Sequence, residues 1–222
     1  MKSIKITLLA FIAFLNCFYG CNNANTLTDI DGNVYKTVKI GDQVWMAENL
    51  KVTRYRNGNP ILHRPEAKEW SKTTDGAYCY YNNDSSNILH FGNLYNWHAI
   101  NDSRNLAPEG WHIPSPEEIT TLVNTLKGDT VAGGKLKISG AGLWLSPNAG
   151  ATNESGFSAV PGGYRFNEDG SFHTMGSNGY WWTTTKSYEI FSWTPRLYEV
   201  FADVNRDTQY LNYGLAVRCI KD

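Results

Sequence analysis

Most of the patterns that announce an activity are missing from this sequence. Its four cysteines include no CxxC pair, which argues against a metal centre built on thiolates. The five histidines, His63, His90, His98, His112 and His173, show neither HExxH nor HxH spacing. Each reads as a turn, surface or satisfied core residue rather than a ligand. There is no GxSxG, no Walker loop and no GxGxxG after a strand. Ser158 follows Gly156-Phe157 but lacks the second glycine of a nucleophile elbow. No EF-hand pattern gathers oxygens for calcium, although Asp29/Asp31/Asn33, Asn82/Asn83/Asp84 and Asn101/Asp102 put several close in sequence. Turn chemistry accounts for those clusters more simply. Charged residues make up 18% of the chain and form no basic block, so a nucleic-acid partner is not expected. No cofactor is implied. Internal repeats of fixed period and linker-like stretches are also lacking.

What is present begins with a leader. Lys2 and Lys5 precede an apolar run from Ile6 to Leu15 that is too short to span a bilayer but suits a signal peptide. Phe18-Tyr19-Gly20-Cys21 then reads as a lipoprotein cleavage site, with a small residue before the cysteine. The expected organisation is a signal peptide over residues 1–20, a tether over 21–28 and one domain over 29–222, anchored through acylated Cys21. Cys17 competes less well because Asn16 precedes it, and cleavage after Gly20 that leaves Cys21 as a free thiol is the alternative. Several acyl chains on one cysteine anchor a protein stably. The seven residues from Asn22 to Thr28 reach only about 23 Å when extended. The expected location is therefore the cell envelope, lipid-anchored at the outer membrane, on its periplasmic face or at the cell surface. An oxidising compartment favours a disulfide between Cys79 and Cys219, with two buried thiols as the alternative.

Along the domain, Asp31-Gly32 and Gly41-Asp42 punctuate alternating segments at 34–40 and 43–46, predicting a β-meander. Ser115-Pro116-Glu117-Glu118 carries a capping box with proline at the first helical position. Ile119, Leu122, Val123 and Leu126 then form one apolar stripe ending at Lys127-Gly128, which predicts a helix. Asn167–Gly170 predicts a hairpin turn. Strands are expected at 180–184, 197–204 and 215–220.

Tryptophan and tyrosine are frequent, 8 and 13 residues, and they gather in the C-terminal half. Sugars stack on flat aromatic faces beside amides and charges. The candidate ligand-binding set is therefore Tyr180, Trp181, Trp182, Trp193, Tyr198, Arg206, Tyr210, Asn212 and Tyr213. Adjacent Trp181 and Trp182 alternate along a strand, so one of them should belong to the core. Arg165 and Arg218 read as structural, holding loop carbonyls.

The ordered segments DIDGNVYKTVKIGDQVWMAENL, YCYYNND, FGNLYNWHAI, GWHIPSPEE, ATNESGFSAVPGGYR, GYWWTTT and GLAVRC resemble the Fibrobacter succinogenes major paralogous domain. That family is abundant in lipoproteins of Bacteroidetes and Fibrobacter, and the resemblance covers roughly residues 29 to 222. More loosely, GWHIPSPEE, PGGYR and GLAVR are similar to elements of formylglycine-generating-enzyme-like proteins. This likeness implies an α+β, C-type-lectin-like fold of short strands and one or two helices. The cysteine pair of those enzymes has only Cys219 to match it late in this chain. The expected function is a membrane-anchored binding or interaction module with a glycan or protein ligand. An enzyme derived from that group and a structural envelope or adhesin subunit are the alternatives.

Overall fold

The computed structural model describes residues 26–140 and 142–222; the leader, Cys17 and the acylation site expected at Cys21 lie outside them. Turn chemistry starts the fold. The Asp29 carboxylate accepts hydrogen bonds from the backbone N–H groups of Asp31 and Asn33, from Asn33 Nδ2 and from the Tyr35 hydroxyl. Gly32 takes a positive φ of 83°, a backbone region that costs glycine little. This turn joins β1 (Thr26–Thr28) to β2 (Val34–Ile40), and Gly41-Asp42 joins β2 to β3 (Gln43–Met46). The oxygens at Asp29 are thus spent on local donors.

Short elements follow: β4 (Leu62–His63), α1 (Ala67–Lys72), β5 (Ala77–Cys79), α2 (Ile88–Phe91), β6 (Leu94–Tyr95), α3 (Trp97–Ile100) and β7 (Trp111–His112). The predicted helix is α4 (Pro116–Thr125). Ser115 Oγ accepts from the Glu118 N–H at 3.2 Å, and Glu118 Oε2 accepts from the Ser115 N–H at 2.8 Å. Next come α5 (Asp129–Leu136) and the hairpin β8 (Tyr164–Arg165) and β9 (Phe172–His173). The chain ends with β10 (Asn178–Tyr180), β11 (Lys186–Tyr188), β12 (Phe191–Tyr198), β13 (Asn205–Tyr210) and β14 (Ile220–Lys221).

The fold is α+β. One five-stranded sheet has the order β1-β2-β3-β14-β7, so the end of the chain is inserted beside its opening meander. A second sheet has the order β10-β12-β11, with β13 along the other side of β12. The strand expected at 197–204 is corrected here: β12 ends at Tyr198, residues 199–204 form a loop, and the polar segment Asn205–Tyr210 is the next strand. As an outer strand, β13 packs little apolar surface, so its side-chain pattern gave no strand cue.

Two large apolar clusters form the interior, and three short segments run between them. Met46, Trp182 and Val217 face one cluster with Tyr35, Tyr95 and Trp97. Their chain neighbours Trp45, Trp181 and Ala216 face the other, with Leu122, Val123, Leu136 and Leu197. Extended chain sends consecutive side chains to opposite faces, so each segment is buried on both. Trp181 and Trp182 are therefore both core residues, at 5% and 0% exposure, where the sequence suggested one.

The expected Cys79–Cys219 disulfide is also corrected. Both are free, buried thiols. Cys79 packs in a third, small cluster with Trp70, Ala77, Tyr81 and Leu94, whereas Cys219 belongs to the Tyr35 cluster. The Cys219 N–H donates to Met46 Sδ at 3.3 Å. Burial pushes the Cys79 thiol up to about 12 and raises that of Cys219 as well, which keeps both protonated and unreactive.

His112 ties the chain end to α4. It lies 2.8 Å from Glu118 Oε1 and 2.6 Å from Asp222 Oδ1. Burial alone would lower its pKa, but the hydrogen bonds to Asp222 and Glu118 prevail and raise it. A raised folded-state pKa stabilises the fold fully below the unfolded value of about 6.5, and that stabilisation is lost as pH rises through the folded value. The imidazole is 41% exposed, so screening holds the contribution under about 1 kcal/mol. Thermal melts between pH 5.5 and 8.5 are expected to show a smaller decline with rising pH for His112→Gln than for the parent. Identical slopes would refute this assignment.

Candidate ligand-binding face

The candidate residues separate into buried and surface groups. Tyr180, Trp181 and Trp182 are core. The Trp182 indole N–H donates to the Tyr95 carbonyl at 2.6 Å, that of Trp181 to Asn49 Oδ1 at 2.9 Å, and the Tyr180 hydroxyl accepts from Asn178 Nδ2 at 2.8 Å. Each ring's polar group is thus satisfied inside the protein, and none of the three offers a sugar platform. Asn212 is a cross-brace: its Oδ1 lies 2.7 Å from His98 Nε2, and its carbonyl accepts from the Trp70 indole at 3.0 Å.

Tyr213 and Tyr210 belong to a ladder of rings. Tyr164 stacks on Tyr213 at 5.3 Å with planes 7° apart, and His173 stacks on Tyr164. Tyr210 follows Tyr213 at 5.9 Å, and Phe191 follows Tyr210 at 4.4 Å. Phe166 packs edge-on against both His173 and Tyr213. Faces consumed by neighbouring rings cannot also stack on a ligand, so the inner rungs present only edges. Tyr198 is covered likewise, since the Arg196 guanidinium lies 4.3 Å from its ring centre and pairs with Asp207 at 3.0 Å.

Trp193 differs. It is 41% exposed and lies on β12 opposite Thr208 of β13. Residues directly opposite in an antiparallel pair share a sheet face. The register Phe191↔Tyr210, Trp193↔Thr208, Pro195↔Arg206 therefore sets Trp193 beside Phe191, Tyr210 and Arg206. Arg206 is steadied by Thr120 Oγ1 at 3.0 Å and Asp129 Oδ1 at 3.2 Å, both from the helical side. No ring stacks on Trp193 among the described residues. Trp193, Tyr210 and Arg206 are thus the candidates that the fold brings together on an open surface.

The sequence reading missed Tyr164, Phe191 and Arg196, which complete this aromatic region, because their placement depends on register and on long-range pairing. It also missed Asn49, whose Oδ1 accepts from both Trp181 and Arg218 and whose Nδ2 donates to the Phe91 carbonyl. Arg218 donates further to the carbonyls of Phe157 and Ser158, and Arg165 to those of Gly170, Arg64 and Pro65. Both arginines hold loop carbonyls, as read from the sequence. Among the described residues no group of three or more His, Cys, Asp or Glu side chains is placed to share a metal ion, and no helix is long and apolar enough to cross a membrane.

No curated protein and no solved structure matches the chain significantly, and the looser likeness to formylglycine-generating-enzyme-like proteins is not supported by them. The segments that surround Asn49, Arg165, Trp181 and Arg218 do have a family counterpart. Residues 38–221 match the model of the Fibrobacter succinogenes major domain, and the chain belongs to that family.

Proposed function

We propose that this chain is a lipid-anchored, extracytoplasmic binding module of C-type-lectin-like fold that holds a glycan against Trp193. The observation that carries this reading is the open indole on the β12–β13 face, beside a braced arginine and the Thr208 side chain. An apolar ring face with polar groups at its rim suits a sugar, which has both C–H and O–H faces. The lectin-like reading draws support from the pairing of β14 with β3, which joins the two ends of the described chain, and from the short, irregular elements between them. The anchor reading rests on the leader and Cys21. It is tested separately by labelling with radioactive palmitate, which Cys21→Ser should abolish.

The binding test is a glycan array probed with the detergent-purified full chain and its Trp193→Ala variant. Trp193 is half-exposed and stacks on no ring among the described residues, so its truncation is expected to shift stability by less than about 1 kcal/mol. Loss of one sugar platform is expected to weaken binding by at least tenfold, on the order of 1.5 kcal/mol. Equal binding by a folded Trp193→Ala protein would remove this face from consideration. A second reading, assembly with another protein, is favoured by the β11–β12 connection, where Tyr188 and Ile190 are 76% and 55% exposed. An array silent for both proteins would favour it.

A further inference from the structure

A cleft of about 380 Å³ takes no lining residue from β12 or β13 and falls within the size range of small-molecule sites. It is lined by residues of β2, of the segment after β3 and of α2, with Ile138, Leu143, Gly156, Ser158 and Val160. Its lining is unlike the Trp193 surface. No Trp, Tyr or Phe contributes; the walls are aliphatic, with Val38, Ile88, Leu89, Ile138 and Val160. The ionic groups are unbalanced as well. Lys36, Lys51 and Arg218 line it against the single carboxylate of Glu48. Neither lysine has a carboxylate within 4.0 Å among the described residues.

Arg218 gives the cleft its chemistry. It is 1% exposed and lies in the floor, where Asn49, Phe157 and Ser158 engage Nε, Nη1 and Nη2 once each. A guanidinium carries five N–H groups, so two Nη hydrogens have no acceptor among the described residues. Burying a cation with no paired carboxylate is costly, and a bound anion relieves that cost. Burial accordingly lowers the pKa of Arg218, with Glu48 opposing.

We infer that this cleft binds a small organic carboxylate with a branched or short aliphatic body. The carboxylate faces Arg218, Lys36 and Lys51, and the hydrocarbon lies along Val38, Ile88 and Val160. The aliphatic walls select against a sugar, so this site is independent of the glycan face.

The test is isothermal titration of the detergent-purified full chain with 4-methylpentanoate, its neutral amide 4-methylpentanamide, and inorganic phosphate. Charge-assisted hydrogen bonds exceed neutral ones about twofold in strength, so the acid is expected to bind saturably and at least about tenfold more tightly than the amide. Phosphate should bind no better than the amide. Arg218 variants are expected to unfold, so the charge is tested at the cleft rim with Lys36→Gln/Lys51→Gln. That double variant should fold, retain amide binding and weaken acid binding by about tenfold. Acid and amide binding alike, phosphate binding like the acid, absence of saturable heat, or an unchanged double variant would each overturn the assignment.

Discussion

Alanine at Gly133 is expected to destabilise the protein by about 3 kcal/mol, although alanine is the better helix former by about 1 kcal/mol. Gly133 lies within α5, and a Cβ built there would stand 2.1 Å from the Asp203 carbonyl oxygen and 2.8 Å from that of Ala202. Both are backbone atoms, so the loop at 199–204 must move away. That loop is docked by the Gly134 N–H on the Ala202 carbonyl at 2.9 Å and by the Val204 N–H on the Asp129 carbonyl at 2.8 Å. Lys137, at the end of the same helix, donates from a buried Nζ to the carbonyls of Ala149, Tyr198 and Phe201 at 2.8 to 2.9 Å. Displacing the loop carries the Phe201 carbonyl away from this ammonium. A chain of this size loses about 2–4 °C in Tm per kcal/mol. A fall of about 10 °C in a calorimetric scan is therefore expected, against a small rise for Thr130→Ala, which is exposed on the same helix. A rise for both variants would mean that the close approach to Asp203 does not exist.

Arg165→Met is expected to cost about 4 kcal/mol, in the range for breaking a buried charged network. The guanidinium is fully buried between the rings of Trp70 and Phe172, 4.8 Å from each centre, and it donates to the carbonyls of Gly170, Arg64 and Pro65. Methionine fills part of the slot between the rings but takes the guanidinium donors from the Gly170 and Arg64 carbonyls and leaves that of Pro65 with Asn83 Nδ2 alone, at about 1–3 kcal/mol for each carbonyl left unsatisfied and kept from water. Arg165→Lys restores the charge without the planar fork and should recover less than half of the loss. Urea titration distinguishes the possibilities. A midpoint for Arg165→Lys equal to the parent would show that charge alone matters. A parent-like midpoint for Arg165→Met would show that the Gly170 and Arg64 carbonyls reach water when the arginine is removed.

The helix Pro116–Thr125 was legible because its cues are local: a capping box, a proline that fits the first turn and one apolar stripe. The opening meander was legible for the same reason, with Asx and glycine turns between alternating residues. Helix α5 was not, since Gly133 and Gly134 argue against a helix until the carbonyls of Asp203 and Gly150 are seen pressed against them. The candidate site divides along the same line. Aromatic abundance singled out the C-terminal half of the chain, but exposure depends on what covers each ring. Trp182 is sealed by a core, Tyr213 by Tyr164, and Trp193 by neither.

By itself, then, the sequence determined the family, the α+β class, the capped helix, the turns and the structural character of Arg165 and Arg218. Each of these follows from residues a few positions apart or from motifs in fixed order. Only the tertiary structure decided that Trp181 and Trp182 both lie inside, that Cys79 and Cys219 belong to separate clusters, and that Trp193 joins Arg206 and Tyr210 on one open face. Those outcomes depend on strand register and on which surfaces pack together, and both are set by contacts between residues tens to hundreds of positions apart. Periodicity shows that a side chain has two faces to choose between; the partner across the gap makes the choice.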